Sequence, residues 1–266
     1  YMDGDEADMR QTMQASMGTD FESIMYLLKG MGECSLGQMH NAKASFVQSA
    51  KAAQLHQQTE MGGGIRTTQA WCDAAVGFEE EARLGAYEAL KLSADRDTRN
   101  SAALVLAMTG EMPRSQKLVD ELVQQYPKDL LLNQAWVPTA RAIQALHKSQ
   151  PQEAIKLLEA TLPYELGCPP DGVNGLPAFV RGEAYLRARD GAKAAEEYQK
   201  LLSHRAIDPV GVIFSLARLG LARAYVEKGD TPKARETYQD FFALWKNADP
   251  DVPILKQAKA EYAKLQ

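Results

Sequence analysis

The sequence has few cysteines and no long apolar run. Its cysteines, Cys34, Cys72 and Cys168, are too few and too scattered for a disulfide framework, so free thiols are expected. No apolar run approaches the roughly 20 residues that cross a bilayer, and the first residues lack the basic-then-apolar pattern of a signal peptide. We therefore expect no membrane span in this chain. Cytoplasm and periplasm both stay open as locations, with or without a membrane tether in a longer parent protein.

An excess of positive charge is also missing. The chain has 30 Lys and Arg residues against 35 Asp and Glu residues, which gives a formal net charge of −5. A domain that binds DNA or RNA usually carries a basic patch or stripe. The charge balance therefore predicts that nucleic acid is not a direct partner.

Motifs for catalysis and cofactor binding are lacking as well. The glycine cluster at 61–68 does not end in the Gly-Lys-Ser/Thr of a phosphate-binding loop, and it is interpreted as a flexible loop between repeats. Cys168 lies in a long connector, 162–177, with no histidine nearby in sequence to activate it. The histidines do not have the spacing of metal ligands; they are His40, His56, His147 and His204. We expect no enzyme activity, no metal and no cofactor.

What the sequence does contain is a repeat. Pairs of small residues recur with an internal step of twelve positions: Gly30/Ala42, Ala70/Ala82, Ala103/Ser115, Ala142/Ala154, Gly182/Ala194 and Ala222/Ala234. Large residues follow at fixed offsets, such as Tyr225 after the first small residue of its pair and Tyr238 after the second. This matches the L-G-x2-Y and A-x3-F pattern of a tetratricopeptide helix pair. Small residues are needed there because two helices approach closely only where the crossing side chains are small.

The pattern predicts an all-α fold, a right-handed α-solenoid of tetratricopeptide-like hairpins with a C-terminal capping helix. The whole chain, 1–266, is expected to form a single domain. Its first part, 1–20, is interpreted as a truncated half-repeat, and 251–266 as the capping helix. The helix pairs are expected at 21–60, 61–95, 96–133, 134–174, 175–213 and 214–250.

Three longer segments carry a closer resemblance: LLNQAWVPTARAIQAL, AIKLLEATLPYELG and FFALWKNADPDVPILKQAKAEYAKLQ. They resemble the C-terminal repeat region of eukaryotic-like serine/threonine protein kinases, and of some winged-helix regulators, that are common in acidobacteria. The resemblance covers nearly the whole chain and is strongest over 131–266. It implies a longer signalling parent whose kinase or DNA-binding module lies outside this sequence, since no kinase signature occurs here.

A repeat array of this type presents a preformed concave groove lined by the first helix of each pair. The repeat spacing points eight side chains into that groove: Asn100, Leu104, Thr139, Ile143, Phe179, Glu183, Leu219 and Arg223. The mixture suits an extended peptide or a helix of a protein partner. Glu183 disfavours an acidic tail, so recognition of a C-terminal carboxylate is not expected. The predicted function is a non-catalytic protein-interaction scaffold; the alternative is self-association into a homo-oligomer.

Overall fold

The computed structural model describes residues 6–58, 61–167 and 174–266, with side chains from residue 11 onward in the first range. Regular elements within these ranges are all helical. In the first half they are α1 (Glu6–Ser16), α2 (Glu22–Ser35), α3 (Met39–Leu55), α4 (Met61–Val76), α5 (Glu79–Leu92), α6 (Arg96–Met108) and α7 (Met112–Gln125). In the second half they are α8 (Val137–His147), α9 (Pro151–Leu157), α10 (Leu176–Arg187), α11 (Gly191–Ser203), α12 (Val212–Glu227), α13 (Thr231–Leu244) and α14 (Pro253–Ala263).

The helices pair and stack in chain order. From α2 to α13 each even-numbered helix packs against the odd-numbered helix that follows it, and each pair packs against the next pair. Helix α14 packs on α13 at the end of the stack. The predicted fold class, an all-α solenoid of tetratricopeptide-like hairpins with a capping helix, is confirmed. The residue boundaries predicted for the individual units stay a prediction.

The small residues found in the sequence lie at the closest helix crossings. A Cβ on Gly30 would lie 2.8 Å from the ring of Phe46, and a Cβ on Gly182 would lie 2.7 Å from the ring of Tyr198. A Cβ on Gly220, in the next hairpin, would meet the same Tyr198 ring at 2.4 Å. Glycine therefore makes room for a fully buried aromatic ring, which fills the space between two helices.

The last hairpin also packs against the first ones, so the solenoid closes into a ring. Helix α12 contacts both α2 and α4. The indole Nε1 of Trp245, after α13, donates a hydrogen bond to the carbonyl of Ser35 at 3.0 Å. Asp249 adds two more bonds: its N–H donates to the carbonyl of Gly37 at 3.0 Å, and its carboxylate accepts from the N–H of His40 at 2.8 Å. We call this set of contacts the closure.

The glycine cluster is helical, so its interpretation as a flexible loop is wrong. Helix α4 begins at Met61 and includes all three glycines. Packing explains this, because a Cβ on Gly63 would lie 2.7 Å from Thr98 Oγ1 and 2.8 Å from Ser93 Cβ. The close approach of α4 to the turn before α6 therefore overrides the low helix propensity of glycine.

Helix α8 is directly preceded by a π-helical turn, Leu132–Trp136. Pro138, in the next turn, has no N–H and would crowd the carbonyl four residues before it in a regular α-helix. The wider π turn accommodates the proline. The hydroxyl of Thr139 donates to the carbonyl of Ala135 at 2.7 Å, which satisfies one of the carbonyls in this distorted region.

The capping helix is attached by polar contacts as well as by apolar packing. Arg223 on α12 forms a two-pronged ion pair with Glu261 on α14, at 2.9 and 3.1 Å. The hydroxyl of Tyr238 on α13 donates to the same carboxylate at 2.9 Å. Within the described residues no helix is both long and apolar enough to cross a membrane. Residues 1–5, which include part of the predicted half-repeat, and Cys168 lie outside the described residues.

Candidate functional site

The first helices of the hairpins surround a cavity of about 350 Å³, which we call the central cavity. Its size is that of a small-ligand or side-chain site. Much of its wall is apolar, with Trp71 from α4, Leu104 from α6, Trp136 from the π turn and Ile213 from α12. Because the closure brings α12 onto α2 and α4, the concave face of this solenoid is narrowed to a cavity that stays partly open to solvent.

The central cavity continues in two directions. Towards α1 and α2 it shares Met31, Asn174, Asp208 and Val210 with a surface groove of about 740 Å³. This groove, which we call the methionine groove, is lined mainly by apolar side chains, among them Met13, Met17, Met25, Leu28 and Met31.

Towards α8 and α10 the central cavity meets a second cavity of about 170 Å³. The two cavities share Trp71, Leu176 and Ile213, which form a constriction between them. The three spaces therefore adjoin one another in a path from the surface at α1–α2 towards the interior of the ring, and polar side chains, Asn174 and Asp208, lie where the groove meets the central cavity.

Four of the predicted groove residues line this path. Leu104 lies in the wall of the central cavity. Ile143, Phe179 and Glu183 lie in the wall of the second cavity. The carboxylate of Glu183 accepts a hydrogen bond from the Tyr198 hydroxyl at 2.6 Å, which fixes its orientation.

The other four lie elsewhere. Thr139 and Leu219 are fully buried, with exposed fractions of 0%, so we do not retain them as partner contacts. Asn100 is buried beside a small pocket next to Trp136. Arg223 is occupied by Glu261 of the capping helix and lies outside both cavities.

Sequence reasoning missed Met31 and Trp71, although a signal for them exists. Leu104, Ile143 and Glu183 each come directly after the first small residue of a pair. The same offset after Gly30 and Ala70 gives Met31 and Trp71, and both line the central cavity. Extending the spacing to the first two hairpins would therefore have identified these two wall residues.

The polar end of the central cavity is formed by Asn174 and Asp208. Asn174, with φ +36°, precedes Gly175, whose N–H donates to the carbonyl of Glu165 at 2.9 Å. Glu165 is itself buried and paired with Arg181 at 2.6 Å, so the segment that carries Asn174 is anchored to α10. The Asn174 amide N–H donates to Asp208 Oδ2 at 3.2 Å.

Burial raises the pKa of the Asp208 carboxyl above its usual value. The Asn174 amide and the N–H groups of Val210 and Gly211 act in the opposite direction, because each donates to the charged form. Among the described residues, no charged side chain is one of the groups that shift the pKa of Asp208. The carboxylate is thus held in place by neutral donors alone.

One group of described residues has the donor types of a metal site. His40, Asp249 and Asp251 offer atoms within 4.8 Å of one another. Nδ1 of His40 lies 3.3 Å from Asp249, and Nε2 lies 3.5 Å from Asp251. The sequence separates these residues widely, and only the closure brings them together. Their contacts with one another account for the arrangement, and exposed groups of this kind need no ion.

No protein-family model matches this sequence, and no curated protein matches it either. Among solved structures, a chain of the APC/C hetero-tetramer Cut9-Hcn1 is similar, with a TM-score of 0.54 and 14% identity. That match covers 99% of this chain and 47% of the other. Yeast Tom70 is similar with a TM-score of 0.53 and 13% identity, over 97% of this chain and 57% of that one.

A tetratricopeptide repeat protein from Parabacteroides merdae ATCC 43184 also matches, with a TM-score of 0.43 and 12% identity, over 91% of this chain and 90% of the other. The chain thus spans about half the length of the first two solved chains it matches. At these identities the likeness shows the fold alone.

Proposed function

We propose that this chain is a non-catalytic protein-interaction module that binds a segment of a partner protein along the methionine groove and into the central cavity. The observation that carries the proposal is that the groove and the cavity adjoin, with Met31 and Val210 in the linings of both. Methionine side chains are flexible and polarisable, so a surface rich in them adapts to apolar side chains of different shape. The rigid hairpins around the cavity mean that binding does not have to order the scaffold.

The geometry favours an extended segment over a helix inside the ring. A helix with its side chains is about 10–12 Å wide, whereas the central cavity holds only about 350 Å³. An extended segment can lie in the groove and place single side chains in the cavity. In the longer signalling parent that the sequence resemblance implies, this module would dock substrates or regulators of a kinase or DNA-binding module.

The test is selection of peptides from an unbiased display library against the purified chain, followed by measurement of their Kd. Met31→Glu places a charge where groove and cavity meet, and we expect it to weaken a selected peptide at least about 10-fold. Leu130→Glu is the matched control, because Leu130 is exposed and lies outside the groove. Equal affinities of the two variants would contradict the proposal.

Self-association is the second candidate, and a specific surface supports it. Four apolar side chains near the start of the chain are exposed: Met17, Phe21, Ile24 and Leu28. Exposed apolar clusters of this kind are typical of protein-protein contacts. Light scattering over a range of concentrations tests it: a mass that doubles with concentration and is restored to the monomer by Phe21→Glu supports the second candidate. A constant monomer mass excludes it.

A further inference from the structure

The most notable polar groups of the central cavity are hydrogen-bond acceptors. Asp208 is a half-buried carboxylate, and Asn174 Oδ1 is buried without a hydrogen-bond partner. Asp97, on the rim, is already paired with Arg96 at 2.6 Å. No lysine, arginine or histidine is among the described residues that line the cavity.

The orientation of the Asn174 amide follows from its neighbour. A carboxylate only accepts hydrogen bonds, so the NH₂ group of Asn174 must face Asp208. The amide oxygen is then left without a donor. An unsatisfied buried acceptor costs free energy, and a ligand with an N–H group would remove that cost.

The walls suit a long aliphatic stem that ends in a positive charge. Trp71 and Trp136 both line the cavity, together with Met31 and Leu104. Indole rings attract cations through their faces, and methylene groups pack well on them. A cation beside Asp208 would also compensate the burial that disfavours the charge of this carboxylate.

We infer that the central cavity binds a lysine or arginine side chain of the partner segment, with its alkyl stem between apolar walls and its charged head at Asn174 Oδ1 and Asp208. The inference rests on the proposed function, because it names the side chain that the peptide places in the cavity. It also predicts that acidic segments are rejected, since a second carboxylate would be repelled by Asp208.

A double-mutant cycle tests the inference with a peptide from the same library selection. In the peptide, the basic anchor is replaced by norleucine, which keeps the stem and removes the charge. In the protein, Asp208→Asn removes the carboxylate charge at nearly constant shape. Each single change is expected to weaken binding about 10- to 100-fold, and the two together no more than either alone. Asp120→Asn, on α7 and outside the cavity, is the matched control with unchanged affinity.

The outcomes separate this inference from the proposed function. Peptides that lose affinity for Met31→Glu but contain no basic residue overturn the inference and leave the proposed function standing. The inference is also overturned if replacement of the basic anchor and Asp208→Asn weaken binding additively. A library that gives no peptide sensitive to Met31→Glu overturns both. Circular dichroism shows whether the Asp208→Asn variant is folded. If it is unfolded, the affinity of the wild-type protein for the peptide with the replaced anchor decides whether the inference holds.

Discussion

Two kinds of interface hold this molecule together, and they differ in what they are made of. Neighbouring hairpins pack through small residues that face buried rings, as Gly182 and Gly220 do on the two sides of Tyr198. The closure between the last and the first hairpins combines the packing of α12 on α2 and α4 with one buried tryptophan and with hydrogen bonds to backbone groups of Ser35, Gly37 and His40. The stacking contacts recur along the chain, whereas the closure occurs once and narrows the concave face around the central cavity.

The largest effect is expected from removing the tryptophan of the closure. Trp245 is 2% exposed, and its ring packs on Phe241 with centroids 4.8 Å apart. Trp245→Ala should lower the free energy of unfolding by about 3–5 kcal/mol. It should also open the ring, so the radius of gyration measured by small-angle X-ray scattering should increase. A destabilised variant of unchanged size would mean that stacking alone holds the ring closed.

Gly37 allows the contribution of the closure to stability to be compared with the cost of backbone strain in a turn. Gly37 has φ +73°, and a Cβ there would lie 2.7 Å from Ala248 and 2.8 Å from Trp245. Gly229 has nearly the same φ, +75°, but no neighbour within 4 Å of such a Cβ. Gly37→Ala should cost about 2–4 kcal/mol, and Gly229→Ala only the backbone strain of about 1–2 kcal/mol. Denaturant titration measures the loss of unfolding free energy in both variants. Equal losses would mean that the contacts of Gly37 in the closure add nothing to the backbone strain.

Asp73 tests a charge in the stacked part of the molecule. Burial is the main cause that raises the pKa of Asp73 to about 6, while Arg66 and Lys43 act in the opposite direction. Because the folded state then binds the proton more tightly than the unfolded state, stability falls as the pH rises from about 4 to about 6. Asp73→Asn should abolish this fall and stabilise the chain at pH 7 by about 1–2 kcal/mol. Thermal melts of both proteins at pH 4 and pH 7 check the sign.

The smallest effect concerns the glycines at the start of α4. A Cβ on Gly64 meets nothing within 4 Å, so Gly64→Ala should stabilise the helix by about 0.5 kcal/mol. Gly63→Ala should destabilise instead, because its Cβ would collide with Ser93 and Thr98. A stabilising Gly63→Ala would show that α4 does not need its close contact with the next hairpin. Denaturant midpoints are sufficient to rank the two.

Stacking could be predicted from the sequence because its determinants are local. The twelve-residue step joins small positions on adjacent helices of one hairpin, and the rings four residues beyond the second position, Phe46 and Tyr198, contact Gly30 and Gly182. The same spacing predicts Leu104 and Ile143 as groove residues, and these two side chains line the cavities. It placed Leu219 on the concave surface as well, whereas Leu219 is fully buried.

The closure and the polar end of the cavity could not be predicted in this way, because no comparable sequence pattern marks them. Trp245 and Ser35 meet across 210 positions, and Asn174 and Asp208 across 34, without a shared pattern. The sequence favours a loop at glycines 62–64 because the intrinsic helix propensity of glycine is low. Only the contacts of Gly63 with neighbouring residues explain why this segment is helical. Contacts between distant segments are set by the curvature of the whole stack, which no single repeat encodes.

The 210-residue separation across the closure has a consequence for the order of folding. Each hairpin can form soon after its own residues leave the ribosome, whereas the ring must wait until Trp245 and Asp249 have been synthesised. Until that moment the walls with Trp71 and Trp136 face solvent. During synthesis these two tryptophans are therefore more accessible to a partner segment than they are once α12, with Ile213, has packed against α2 and α4.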